Sequence, residues 1–117
     1  MKIEISGLDS EYGLGLCDGE EDTYKSSLRL FATNIPNTLE KMRSVNEASL
    51  KDYAISVHGV KGMSDYIGAL DTRNKAKQLE EKAKNGDIAA VLAENASFIK
   101  EVENLVSNVK AWLDKND

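Results

Sequence analysis

The sequence predicts an all-α fold, an antiparallel four-helix bundle with a short extra helix at the N-terminus. Three observations lead there. Apolar residues recur at alternating spacings of three and four along four separate stretches, the signature of amphipathic helices. The intervals between those stretches, near residues 46–49, 68–70 and 85–87, are too short for anything but antiparallel neighbours. No period-2 pattern of useful length competes, Ile3 and Ile5 at the start being the nearest approach. The 117 residues suit one domain, with 1–19 as loop and short helix and 20–115 as the bundle.

The elements follow in order. Gly7, Gly13, Gly15 and Gly19 mark the first region as loop, with a turn or two of helix from Asp9 to about Cys17, capped by Asp9 or Ser10. A first long helix begins near Glu20, where Glu21 and Asp22 suit the positive end of the helix dipole. Its stripe is Tyr24, Leu28, Phe31, Ile35, Leu39 and Met42. Pro36 lies inside it and removes one backbone donor, but the stripe keeps its phase, so a kinked continuation is expected. The next helix starts after Ser49 as N-cap and carries Leu50, Tyr53, Val57, Val60, Ser64 and Ile67 before ending near Gly68. Another runs from about Leu70 to Lys84, with Ala76, Leu79 and Ala83 inward and Asn85-Gly86 as its stop. The last starts after Asp87 and reaches about Leu113, a length of about 40 Å at 1.5 Å per residue. Its stripe contains Ile88, Val91, Leu92, Asn95, Phe98, Ile99, Val102, Leu105, Val106, Val109, Trp112 and Leu113.

Composition narrows the function classes. Hydrophobic residues make up 41% and charged residues 30%, enough of the former for a packed core and so not a disordered chain. A net charge of −5 without a Lys/Arg cluster argues against nucleic acid and against an anionic membrane surface. No apolar run approaches the roughly 18 residues of a membrane helix, and the N-terminus lacks a signal-peptide apolar stretch. The lone cysteine, Cys17, is expected as a small buried residue, and its isolation points to a reducing, cytoplasmic setting.

Chemistry concentrates in one helix. His58 is the only histidine, in His58-Gly59-Val60-Lys61-Gly62-Met63-Ser64-Asp65. Alone, a histidine beside an apolar stripe is more often structural than functional. Its neighbours change that reading. One helical step from the central Val57 puts the imidazole at the edge of the buried face, open to solvent or a partner. Lys61 and Gly62, three and four residues on, lie beside it. A neutral imidazole nitrogen is a nucleophile near neutral pH. Phosphoryl capture on it brings about two negative charges, which Lys61 can offset as a point cation. Gly62 costs the helix about 1 kcal/mol relative to Ala, and the reason is access: a bare backbone lets a partner close over the histidine. Gly59 carries the same cost with no evident reason in the sequence.

These residues resemble the histidine-containing phosphotransfer domains of bacterial two-component phosphorelays. The family's His-x-x-Lys-Gly pattern, followed by a small residue and a closing Gly-Ala, is matched by His58, Lys61, Gly62, Ser64, Gly68 and Ala69. An Ala followed three residues later by Leu-Glu in the next helix is matched by Ala76, Leu79 and Glu80. Leu8-Asp9, Gly15-Leu16, Tyr24, Leu28 and Phe31-Ala32 also look like the bacterial members, so the resemblance spans nearly the whole chain. The chain departs from the pattern at Gly59, Val60, Met63 and Thr72, which bear on partner choice more than on chemistry. The resemblance implies a helical bundle in which His58 exchanges a phosphoryl group with an aspartyl-phosphate, as a phosphorelay intermediate and carrier rather than an enzyme. The implied partners are a response-regulator receiver domain, a hybrid sensor histidine kinase, or both. No cofactor is expected on this chain, and Mg²⁺ is expected on the partner receiver. His58 is the expected nucleophile, Lys61 the charge-stabilising group and Gly62 the point of access, with Ala54, Ile55 and Asp65 as a docking rim. A monomer is expected.

The main alternative is a helical adaptor of the same shape that docks a receiver or kinase without carrying phosphate. A domain cut from a larger hybrid kinase fits the sequence equally well. Metal binding finds no ligand spacing here. Hydrolysis lacks a nucleophile elbow, and ATP binding lacks a glycine-rich phosphate loop.

Overall fold

A computed structural model describes residues 3–116. It contains five helices, α1 (Ser10–Leu16), α2 (Glu21–Met42), α3 (Leu50–Ile67), α4 (Leu70–Lys84) and α5 (Ile88–Asn116). No strand occurs among the described residues. Helices α2 to α5 close a ring in chain order, each packing on its sequence neighbours and α5 returning to α2. Short connections make those neighbours antiparallel, so the predicted four-helix bundle is the observed one. The short α1 lies across α3 and α2.

The core forms where the stripes meet. Tyr24, Leu28, Phe31, Ile35, Leu39 and Met42 of α2 are all buried, as are Leu50, Tyr53, Val57, Val60 and Ile67 of α3. Helix α2 runs unbroken through Pro36, because Ile35 and Leu39 on either side stay anchored in the core. Two polar groups enter this interior with partners. Tyr53 donates from its hydroxyl to Asn95 Oδ1 at 2.9 Å, and Asn95 Nδ2 donates to the Met42 carbonyl at 2.8 Å. Asn95 thereby satisfies the C-terminal end of α2, where backbone carbonyls lack helical partners. The hydroxyl of Ser64 is buried without a partner.

Several expectations are corrected. Leu92 is 58% exposed, since a helix can turn only one of Val91 and Leu92 squarely inward. Trp112 is only half-buried, packing on the rim of the core with the Lys25 ammonium 5.8 Å from its ring. Cys17 is likewise half-buried against the core rather than enclosed. Ser49 holds the N-cap position of α3 as expected, but makes no side-chain cap bond; its hydroxyl instead accepts from the Asn46 amide, and its own amide donates to Asn46 Oδ1. The final helix extends beyond Leu113 to Asn116. Ile3 and Ile5, at the start of the described chain, are buried in the core.

The N-terminal segment is tied to the end of α3 at close range. Asp9 caps α1, its carboxylate accepting from the Tyr12 amide. The Asp9 amide donates to the Gly68 carbonyl at 2.8 Å, and the buried Tyr24 hydroxyl donates to the Ile67 carbonyl at 2.7 Å. Gly68 has φ +81°, the left-handed C-cap of α3, and a Cβ there would sit 2.0 Å from the Asp9 carbonyl oxygen. Gly13 is inside α1, within the short helix expected from Asp9 to about Cys17, and a Cβ on it would strike the Tyr24 ring at 2.3 Å. These contacts fix the C-terminal half of α3, and with it the reactive helix.

Candidate functional site

His58 projects from the middle of α3 on the face turned away from the core. Val57 and Val60, on either side of it in sequence, are fully buried, while the His58 side chain is 63% exposed. The neighbouring helix α4 meets it with an unexpected group. Glu80 occupies an inward position between Leu79 and Ala83, and its side chain is only 5% exposed. Its Oε2 lies 2.7 Å from His58 Nδ1, and its Oε1 accepts from Lys61 Nζ at 2.6 Å. Lys84 Nζ, one turn further along α4, is 3.2 Å from the same Oε2. One buried carboxylate thus gathers an imidazole and two ammonium groups.

The electrostatics of this cluster set its protonation. Burial pushes the Glu80 carboxyl up, and hydrogen bonds from Lys61, His58 and Lys84 together with the Lys61 charge outweigh it, holding the pKa down at about 2. At neutral pH Glu80 is therefore an acceptor only. The short contact then requires His58 Nδ1 to carry the proton that is donated to it. In the neutral ring, Nε2 is left with the lone pair. A histidine whose tautomer is fixed by a carboxylate, with its other nitrogen outward, is a positioned nucleophile.

The remaining predicted residues fall into place unevenly. Lys61 is half-buried and joins His58 through Glu80. Gly62 is beside them, and a Cβ there would meet nothing within 4 Å; the same holds at Gly59. Neither glycine is demanded by packing inside the chain. Ile55, one turn before His58, is 72% exposed. Ala54 is corrected: it is buried in the core and presents almost no surface to a partner, because it lies on the Val57 side of the helix. Asp65 is half-exposed but already engaged, accepting from Arg73 Nη1 at 2.8 Å and from the Tyr12 hydroxyl at 2.7 Å. The Arg73 and Tyr12 hydrogen bonds hold its carboxyl below the usual range. It links α1, α3 and α4 rather than standing free on a rim.

Glu80 and Lys84 were not among the expected site residues. In the sequence Glu80 stands only as a match to the family's Ala-x-x-Leu-Glu pattern. Its signal was a charged residue inside an apolar stripe, since a carboxylate at such a position needs partners.

Among the described residues no group of three or more His, Cys, Asp or Glu side chains could hold a metal ion. No helix among them is long and apolar enough to cross a membrane. No curated protein and no solved structure matches the chain. Residues 26–115, a span that takes in α3 and α4 whole, α2 but for its first turn or so and α5 but for its last residue, match the sequence family described as the Hpt domain. With His58, Lys61 and Gly62 on one face of a helical bundle and most of the chain matched, the protein belongs to the Hpt domain family, whose members take part in phosphotransfer in two-component signalling.

Proposed function

We propose that the chain is a phosphorelay intermediate that carries a phosphoryl group on Nε2 of His58. The observation that carries this reading is the short contact between His58 Nδ1 and the buried, ionised Glu80. It gives the exposed ring one reactive nitrogen with a defined direction. The lone pair of Nε2 attacks the phosphorus of an aspartyl-phosphate on a receiver domain. The N–P bond forms, the P–O bond to the aspartate breaks, and the aspartate leaves as a carboxylate. The Nδ1 proton stays in its hydrogen bond to Glu80, which offsets the positive charge arising on the ring. Transfer to a second receiver reverses these steps.

Lys61 lies on the far oxygen of Glu80 and is half-exposed, within a side chain's swing of the arriving phosphoryl. It stabilises charge that grows during transfer. Gly62 and Gly59 leave the backbone bare beside the ring, so that a receiver's active site can approach closely. Ile55 supplies apolar contact at the margin. This chain contributes a nucleophile and its orientation; the receiver or the kinase contributes the rest, including the Mg²⁺ that the family resemblance places on the receiver. Docking is transient, on an interface at the small end of the usual range. The reading also holds the protein to be a cytoplasmic monomer.

The test is transfer from a labelled phospho-receiver to the wild-type chain and to His58→Gln. Label on the wild type alone supports the carrier. Docking without label on either supports the adaptor.

A further inference from the structure

The seam between α3 and α4 carries a second cluster two turns from the reactive ring. Asp65 follows His58 by seven residues and so returns to the same side of α3, about 10 Å along the helix axis. Arg73 precedes Glu80 by seven residues on α4 and meets Asp65 as Glu80 meets His58, its Nη1 donating to Asp65 Oδ1 at 2.8 Å. The Tyr12 hydroxyl of α1 donates to the same oxygen at 2.7 Å, and the Arg73 guanidinium lies over the Tyr12 ring, 5.9 Å from its centroid. None of the three is in the sequence pattern that singled out His58, and Tyr12 lies outside the span 26–115 matched to the Hpt domain. The Asp65 side chain is 36% exposed, and its carboxyl, held below the usual range by the Arg73 and Tyr12 hydrogen bonds, is ionised at neutral pH. Left bare, a carboxylate at that place would oppose a partner that brings a phosphoryl of about two negative charges to His58.

We propose that Arg73 is a determinant of partner docking: by neutralising Asp65, it lets a phosphorylated receiver domain approach the face around His58 without meeting an uncompensated carboxylate. This rests on His58 being the carrier and deepens that reading by giving the start of α4 a role in partner recognition. Arg73 supplies the compensating charge, and Tyr12 holds Asp65 where Arg73 can reach it. Lying two turns from the ring, the cluster acts on the approach of the partner and not on the making of the N–P bond.

The experiment separates docking from transfer. A purified receiver domain loaded from labelled acetyl phosphate with Mg²⁺ is mixed with rising excesses of wild type, Arg73→Gln, Asp65→Asn/Arg73→Gln or Lys75→Gln. The rate of label transfer then gives a maximal rate and a half-saturating concentration for each. Lys75 is the control for net charge, being on the same helix but paired with Glu101 of α5. In Arg73→Gln the half-saturating concentration should rise about two- to four-fold, the scale of one carboxylate facing a dianion about 10 Å away through water, and the rise should shrink as salt is added. The maximal rate stays that of wild type. Asp65→Asn/Arg73→Gln returns to the wild-type concentration although it lacks the same tie between α3 and α4, and Lys75→Gln does not move. A wild-type half-saturating concentration in Arg73→Gln overturns the inference and leaves the carrier intact. A rise that Asp65→Asn fails to reverse also overturns it, since the cluster is then a structural tie alone. An equal rise in Lys75→Gln does the same, since the effect is then one of net charge. Failure of the wild type to take label from any of a broad panel of receivers overturns the carrier reading and this inference with it.

Discussion

Replacing Glu80 with Gln separates the cluster's role in stability from its role in transfer. The carboxyl titrates at about 2 in the folded chain against an ordinary value of 4.5. At about 1.4 kcal/mol per pKa unit, that difference corresponds to about 3 kcal/mol of stability at neutral pH. The folded pKa is depressed, so the contribution is complete above about pH 4.5. It is lost as the pH falls toward 2 and Glu80 takes up a proton. Gln keeps the shape and one accepting oxygen but no charge, and recovers part of the hydrogen bonding, so a loss of about 1–3 kcal/mol is expected at pH 7. Urea unfolding of wild type and Glu80→Gln, followed by circular dichroism from pH 7 to pH 2.5, measures the gap. The gap should narrow steadily below pH 4.5. A gap that stays constant down to pH 2.5 would refute the reasoning, because the charge would then not be what stabilises the cluster. In the same variant the amide can offer either an oxygen or an NH₂ to His58 Nδ1, so the tautomer is no longer fixed. Phosphoryl transfer should fall by about tenfold or more with the fold retained.

Other substitutions probe the scaffold and the access route. Gly68→Ala combines a left-handed backbone with a Cβ driven into the Asp9 carbonyl, and a loss of about 3 kcal/mol or more in urea unfolding is expected. Gly62→Ala meets empty space in the free chain, so it should stabilise α3 by up to about 1 kcal/mol while slowing transfer from a receiver. Raised stability with undiminished transfer would remove clearance as the reason for that glycine. Tyr24→Phe leaves the Ile67 carbonyl without its donor and should cost about 1–2 kcal/mol, read as a lower thermal midpoint.

The bundle was legible in the sequence because its signals are local. Gly68 ends α3 and Asn85-Gly86 ends α4, so the helix from Leu70 to Lys84 could be bounded to the residue. The departures arise where two elements meet. Gly13 falls inside the expected N-terminal helix, but why it is glycine shows only once the Tyr24 ring is placed against it. Leu92 belongs to the apolar pattern by type, but the rotation of α5 gives its place to Val91. Asp65 looked available for a partner, yet Arg73 and Tyr12, from two other helices, had already engaged it. The site divides in the same way. His58, Lys61 and Gly62 share one helix turn and could be read together. Glu80 and Lys84 come from α4, 22 and 26 residues away in sequence from His58, and only the packing of α4 on α3 brings them to the ring. A carboxylate inside an apolar stripe was the one trace the sequence held of that meeting.

Transfer of label tests the central claim most directly. A receiver domain carrying a labelled aspartyl-phosphate, with Mg²⁺, is mixed with the wild-type chain and with His58→Gln, which should keep its helicity because the His58 side chain is 63% exposed. The account predicts label on the wild type alone, labile in acid and stable in base as a phosphoramidate is. Label that persists on His58→Gln, or no label on the wild type from any of a broad panel of receivers that dock it, would contradict it.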